Sequence, residues 1–175
     1  MVPIRPARAD DVAALAELKL TTFRETFLEE GFGIPYPPAD LAIFEVDSYA
    51  EPAIAADLAN PAKRTWVAEL DGRLIAYAQV GPCKLPHPEA SPEHGELYQL
   101  YVRREAQGLK LGKRLLELSM DHLTESRPGT PIWLGVWSGN EKAQQVYLAK
   151  GFAKVGDYRF KVGSWYDEEY IFRRD

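Results

Sequence analysis

The sequence predicts an α/β (α+β) fold in which a central sheet of about seven strands is flanked by helices. Three observations predict it. The alternating run Glu96 to Val102 leads through a glycine-bearing turn into a helical stripe beginning at Leu115, which makes a strand–loop–helix unit. Asp71-Gly72, set between two β-rich runs, supplies the positive φ angles of a tight hairpin. A second strand–helix pair over 132–150 is followed by two further β-like runs, 152–162 and 165–173, which close the chain.

In chain order, Ile4 to Arg8 reads as a short first strand. Asp10 is a candidate N-cap for a helix whose apolar stripe runs through Val12, Leu15, Leu18 or Lys19, and Thr22 or Phe23, and which fades near Glu30. Gly31 to Pro38 holds two glycines and three prolines and must break it. Residues 39–49 and 52–59 read as two short helices ending at Asn60-Pro61. The hairpin takes 65–70 and 74–80, a proline-rich loop 82–95, and a strand 96–102. A helix over 111–125 carries Leu111, Leu115, Leu118 and His122 along one stripe, with His122 a helix-face structural residue. Ile132 to Trp137 is a strand, and Glu141 to Lys150 a helix stopped at Gly151. No repeat, low-complexity stretch or linker interrupts the 175 residues, so one domain is expected.

Composition excludes several classes. Hydrophobic residues make up 46% and charged residues 27%, with no apolar stretch near the roughly 20 residues of a membrane helix. The first residues, Met1 to Pro6, lack an apolar segment and a small-residue cleavage site, so the cytoplasm is the expected location. Cys83 is the single cysteine, which excludes an internal disulfide and reads as a small apolar filler. A formal net charge of −5 argues against a nucleic-acid partner. His87, His94 and His122 match no metal spacing, and no metal is expected.

Residues 107–113, Gln-Gly-Leu-Lys-Leu-Gly-Lys, lie where a strand hands over to a helix N-terminus, whose free N–H groups and partial positive charge suit a phosphate. Arg103, Arg104, Lys110, Lys113 and Arg114 crowd this turn against the single Glu105. Cations at a helix N-terminus cost about 0.3–1 kcal/mol each, so a chain that accepts them is built to receive an anion. A P-loop is excluded, because Gly108 and Gly112 enclose only three residues and Arg114 stands where Ser or Thr would hold magnesium. A dinucleotide fingerprint is excluded too, since the first tight glycine pair is missing and the stretch lies far from the N-terminus.

Gln107 and Gly112 instead match Q/R-x-x-G-x-G/A, and residues 133–152, with Asn140, Ala143, Tyr147, Gly151 and Phe152, follow in register. Together these two motifs resemble the GCN5-related N-acetyltransferases (GNAT). The resemblance implies an acyl-CoA N-acyltransferase fold with a mixed, mostly antiparallel sheet whose strands 4 and 5 splay apart. It implies acetyl-CoA as cosubstrate, bound along Gln107, Gly108, Leu109, Lys110, Leu111, Gly112 and Lys113, with Lys110 where the family has glycine. The backbone of Leu100, Tyr101 and Val102 would pair with pantetheine, and Asn140 would lie near the same arm, although an N-cap role accounts for it equally. Tyr147 would serve the leaving thiolate; the competing reading is a ring buried in the core.

An amine attacking a thioester must lose a proton, so a general base is required. Strand alternation puts Glu96 on one face with Tyr98, Leu100 and Val102, making Glu96 the first candidate and Tyr98 its competitor. A solvated strand-end residue is the alternative reading of Glu96. Segments Thr22 to Phe27, Tyr36 to Leu41 and Phe160 to Asp167 are similar to the subgroup that includes bacterial polyamine N-acetyltransferases of the PaiA kind. That likeness implies a small amine acceptor, a polyamine first, with Glu25, Glu29 and Glu30 holding its distal ammonium groups. Rival readings are acetylation of a protein N-terminus or another small amine, and a non-catalytic acetyl-CoA sensor, against which the retained Tyr147 argues. No membrane partner is expected, and a homodimer is left open.

Overall fold

Asp71 and Gly72 do adopt φ +51° and +75°, and this turn joins β2 (Arg64–Leu70) to β3 (Arg73–Pro82). The computed structural model describes residues 1–175. Its other strands are β1 (Ile4–Pro6), β4 (Gly95–Val102), β5 (Ile132–Trp137), β6 (Ala153–Val162) and β7 (Trp165–Arg174). The helices are α1 (Val12–Phe27), α2 (Pro38–Tyr49), α3 (Glu51–Ala59), α4 (Leu111–Ser126) and α5 (Glu141–Ala149). All seven strands form one sheet in the order β1-β2-β3-β4-β5-β7-β6. Only β4 and β5 are parallel, so the sheet is mixed and mostly antiparallel, as expected.

Local chemistry sets the boundaries. The first strand ends at Pro6 rather than Arg8, and a 3-10 turn over Ala9–Asp11 precedes α1. The N-cap position of α1 therefore falls to Asp11 and not to Asp10, and the Asp11 carboxylate, which caps no amide of α1, accepts the Arg8 N–H at 2.7 Å instead. Proline opens α2 and α3, Pro38 at one start and Pro52 at the other, where its missing N–H costs nothing. Pro128 and Gly129 follow the end of α4.

Each face of the sheet buries a different layer. Trp66, Ala68, Ala76, Ala78 and Val80 turn one way and pack with Leu111, Leu115, Leu116, Met120 and Leu123 of α4. Between them on the chain, Val67 and Tyr77 turn the other way onto Leu15 and Leu18 of α1 and Ile54 of α3. A third cluster of Phe23, Ile34, Tyr36, Tyr49 and Val162 ties α1 and α2 to the β6–β7 hairpin.

Two irregularities of β4 position the site. Its parallel pairing with β5 covers only Gly95 to Leu97 against Ile132 to Leu134. Beyond that, β4 stays with β3 as far as Val102, and β5 stays with β7 as far as Trp137, so the strands part and each is left with an open edge. The second irregularity is a bulge: Leu97 pairs with Val80 and Gln99 with Gln79, leaving Tyr98 as an extra residue. The alternation that grouped Glu96 and Tyr98 with Leu100 and Val102 therefore fails. Leu97, Leu100 and Val102 all pack on the α4 layer, while Tyr101 packs against the α1 layer.

Leu115 is fully buried at the centre of the α4 interface. Leu115→Ala should cost about 2–5 kcal/mol, read as a lower urea midpoint, because the transfer loss and the cavity add. An unchanged midpoint would show that α4 does not anchor the sheet.

Candidate active site

Where β4 and β5 part, the chain encloses a cavity of about 520 Å³, within the range of small-molecule sites. Its walls include Glu96 to Tyr101 of β4, Gly135 to Trp137 of β5, Asn140 and Tyr147 of the α5 segment, and Asp167 and Glu169 of β7.

Glu96 is only 5% exposed, which overturns the solvated reading. Burial raises its pKa to about 7, against a restraining hydrogen bond from the Lys84 N–H at 2.9 Å. Tyr98, the competing base, does not fit: its hydroxyl donates to the Pro82 carbonyl and burial pushes its pKa up, so it holds its proton. Its ring covers Gly81, where an added Cβ would lie 2.6 Å from ring atoms. The sequence did not single out Glu169, which burial also raises to about 7 and which accepts from the Tyr158 hydroxyl at 2.9 Å. Asp167, equally unforeseen, accepts from Tyr36 at 2.5 Å and from the Trp165 ring N–H at 3.0 Å. Gln99 adds a buried Oε1 with no partner in the chain, an acceptor facing a missing donor.

Tyr147 is partly buried, its ring edge-on to Phe152 at 6.0 Å. Burial raises its phenol to about 12. Asn140 is the N-cap of α5, its side chain accepting from the Ala143 N–H at 3.1 Å, and it also lines the cavity. Both of its sequence readings are thus compatible with its position.

At the loop, Gly108 has φ +91° and Lys110 φ +59°, left-handed conformations that turn the chain into α4. Lys110 makes no side-chain cap, and no acidic residue lies in the first turn, so the amides of Leu111, Gly112 and Lys113 have no intrahelical acceptor. A Cβ on Gly112 would meet only methyl groups of Val102 and Leu100, at 3.8 and 3.9 Å. Packing inside the chain does not demand that glycine; close approach by a ligand would.

The crowd of five cations thins to two. Arg103 is buried, donating to the Leu74 carbonyl and pairing with Glu17 at 3.0 Å. Arg104 pairs with Glu30 and donates to the Glu25 carbonyl, and Arg114 donates to the Val2 carbonyl at 2.7 Å. Lys110 and Lys113 remain, the latter 3.9 Å from Glu117. Nor do the three expected acceptor carboxylates reach the cavity. The Glu25 carboxylate accepts the Arg104 N–H at 2.9 Å, Glu30 faces the same arginine, and exposed Glu29 lies off the lining. His122 packs edge-on against Trp66 at 5.2 Å, the structural role expected of it.

The sheet thus parts beyond one parallel pair of strands, with uncapped amides at the start of α4 and titratable groups of raised pKa on the cavity wall. The signature of the acetyltransferase (GNAT) family matches residues 20–152. The chain belongs to that family and is an acyltransferase. It is 26% identical, over 86% of both chains, to an uncharacterised N-acetyltransferase of Lactobacillus delbrueckii subsp. lactis. A mycothiol acetyltransferase of Sanguibacter keddieii is 34% identical over 58% of this chain and 33% of its own length. In fold, the chain matches the PaiA N-acetyltransferase of Thermoplasma acidophilum, solved with coenzyme A, at a TM-score of 0.74 and 18% identity over 100% and 99% of the two chains. The ribosomal-protein-S18-alanine N-acetyltransferase of Escherichia coli matches at 0.68 and 18% over 99% and 93%. No helix is long and apolar enough to cross a membrane.

The raised carboxyl groups carry a stability signature. A folded-state pKa of about 7 for Glu96, against roughly 4.3 unfolded, means the native state binds the extra proton between those values. Stability is then full below the unfolded pKa and falls as pH rises through about 7. Urea unfolding from pH 5 to 7.5 should show this decline, and Glu96→Gln should flatten it in part, leaving the share of Glu169. A wild-type stability that rises over that window would refute the assignment of buried, proton-holding carboxyls.

Proposed function

We propose that residues 1–175 act as one domain that transfers the acetyl group of acetyl-CoA to a primary amine of a small molecule, by direct attack within a ternary complex. The observation that carries this is the pairing of a buried carboxyl with a partly buried phenol, Glu96 and Tyr147, on the walls of one cavity at the parting of β4 and β5. The coenzyme A bound to the Thermoplasma protein supports a CoA thioester as donor.

The pyrophosphate would take the free amides of Leu111, Gly112 and Lys113, with the Lys110 cation and that of Lys113, whose only partner is the exposed Glu117 at 3.9 Å, beside it. The pantetheine amides would pair with the open edge of Leu100, Tyr101 and Val102, and the arm would pass Asn140. That brings the thioester between Tyr147 and Glu96.

An alkylammonium of pKa roughly 10.4 has no lone pair at neutral pH. Glu96, as carboxylate, takes that proton directly or through a water, and at about 7 it is a stronger base than an ordinary glutamate. The remaining uphill gap of about three units costs roughly 4 kcal/mol, within reach of an enzyme. Nitrogen then bonds to the carbonyl carbon, the C–S bond breaks, and the second N–H proton passes through water to the departing sulfur, so that coenzyme A leaves as the thiol while Glu96 returns the first proton to solvent. Tyr147 keeps its proton at a pKa of about 12 while an alkyl thiol sits near 8.5. It therefore hydrogen-bonds to the departing thiolate rather than yielding the proton outright. Glu169 is the second carboxyl in the same range, and separate substitutions divide the roles.

The polyamine acceptor retains the PaiA likeness as support, but the carboxylates expected to bind it lie off the cavity. The reading adopted is the wider one, a small primary amine.

Gly112→Asp would set a carboxylate and a Cβ among the free amides. Calorimetry should show acetyl-CoA affinity falling about tenfold or more; unchanged affinity in a folded variant would end the loop assignment. Tyr147→Phe should lower kcat about 10²-fold with acetyl-CoA affinity nearly intact, the effect of losing one acid–base group. For Glu96→Gln the acid limb of kcat/KM near pH 7 should vanish. If it vanishes in Glu169→Gln instead, the base is on β7.

A further inference from the structure

Charge is distributed unevenly in the cavity, and one part is basic. Lys19 is on α1, Lys63 precedes β2, and Lys84 follows β3, yet all three line the same wall. Lys19 is 2% exposed. Its ammonium makes no hydrogen bond within the chain, and its nearest carboxylate oxygen, on Asp57, is 4.0 Å away. Asp57 is itself engaged by Lys63. The ring of Tyr98 lies 5.7 Å from the Lys63 ammonium and 4.6 Å from that of Lys84, which places these two cations at one residue of β4. The charged groups that shift Lys19 are Asp57, Lys63 and Lys84; Asp47, Glu96, Asp167 and Glu169, the other acids that line the cavity, are not among them.

Lys19 and Lys63 therefore share Asp57, no carboxylate oxygen lies within 4.0 Å of the Lys84 ammonium, and the most buried of the three has only its 4.0 Å contact and the Tyr77 ring at 5.3 Å. Like charges held together in a desolvated site repel, and a buried cation whose one carboxylate partner is distant and shared favours the arrival of an anion. Glu96, whose carboxylate accepts the Lys84 N–H, adds one negative charge at the edge of the group. With Asp57 and an ionised Glu96 counted, a surplus of one positive charge remains among the three lysines, and it is larger while Glu96 holds its proton, so a bound carboxylate is complemented in either state. Burial lowers Lys19 to about 8 without discharging it at neutral pH.

We propose that Lys19, Lys63 and Lys84 form a carboxylate subsite, so that the acceptor is an amino acid or a related amine that bears a carboxylate beside its reacting nitrogen. This rests on the acetyl-transfer reading above and specifies its substrate class. The carboxylate takes the place of the missing partner of Lys19, while the amine turns toward Glu96, two residues along β4 from Tyr98. A polyamine would instead bring a second cation to a basic wall.

The test has two arms. In thiol-release assays with acetyl-CoA, amino acids are compared with the amines left by their decarboxylation, and with spermidine. The amino acid should be preferred by about tenfold or more in kcat/KM, chiefly through KM. Lys19→Met keeps the length and apolar stem of the side chain, and it should cut that preference to about threefold or less while leaving the decarboxylated amine unaffected. Lys63→Met, whose charge is not among those that act on Glu96, gives a second, independent variant should the first fold poorly. In the binding arm, with coenzyme A present, N-acetylglycine should bind at least about tenfold more tightly than N-methylacetamide, which differs only by the carboxylate, and Lys19→Met should abolish the difference. Equal binding of the two amides, a preference for decarboxylated amines or spermidine, or equal losses on both members of a pair would overturn the subsite. Intact discrimination in binding without turnover of any amine would uphold the subsite and refute acetyl transfer.

Discussion

Three residue pairs of parallel β-structure, Gly95 to Leu97 on Ile132 to Leu134, are the only backbone pairing between the two halves of the sheet. Everything at the site depends on their being so few. β4 is committed to β3 and β5 to β7 beyond that point, and twisted strands fixed to different neighbours cannot follow one another. The joint is tight: a Cβ at Gly95 would come within 2.7 Å of a methyl of Leu123, so α4 closes directly over the first pair, Gly95 with Ile132. The two strands that flank the cavity are therefore each held by a long antiparallel ladder, while helices α1 to α3 and the segments around Lys63 and Lys84 complete its walls. The open edges that result lie inside the sheet, where they leave hydrogen-bonding groups for a ligand beside the cavity.

Burial around this joint does chemical work that exposure could not. Moving Glu96 from an ordinary carboxyl pKa to about 7 corresponds to about 3 kcal/mol against its charged form, and it makes the carboxylate a better base when it does ionise. Hydrogen bonds to neighbouring acids act in the opposite sense. Tyr158 donates to Glu169, and Tyr36 with the Trp165 ring donates to Asp167. Each donor keeps a buried carboxyl from rising further, so the polar wall is ordered without being neutralised. Stability is given up as these groups ionise, which is the usual relation between strained electrostatics and reactivity.

What could be read from the sequence was what is decided locally. The Asp71-Gly72 turn, the start of α4 at Leu111 and the strand Ile132–Trp137 follow from residues within one or two turns of one another, and the structure returns them nearly unchanged. Long-range pairing was not readable. Arg103 finds Glu17, Arg104 the end of α1, and Arg114 the carbonyl of Val2, partners about 80 to 110 residues away that a count of cations near a loop cannot reveal. The same fact removed Glu25 and Glu30 from the acceptor side. The bulge at Tyr98 was invisible because one inserted residue leaves the apolar pattern of β4 intact on either side. Lys19 did leave a mark, as the one cation competing for a place in the apolar stripe of α1. A long stem that packs among apolar neighbours reads as Lys or Leu alike until the fold shows where its end lies.

The placement of charge also gives a direction to the cavity. Its basic wall is built from α1 and the segments flanking β2 and β3, while two of its buried acids, Asp167 and Glu169, belong to β7 across the parting of the strands. A uniformly acidic cavity would attract any cation and orient none. Opposed walls do both, since a molecule with one positive and one negative group is drawn in whichever end leads but is bound well in only one sense. Glu96 stands between them, its carboxylate tied to the backbone of Lys84 and its strand running toward the open edge. A zwitterion seated with its carboxylate at Lys19 would present its nitrogen at that residue. The same asymmetry would then supply both the affinity for the acceptor and the alignment of the proton to be removed.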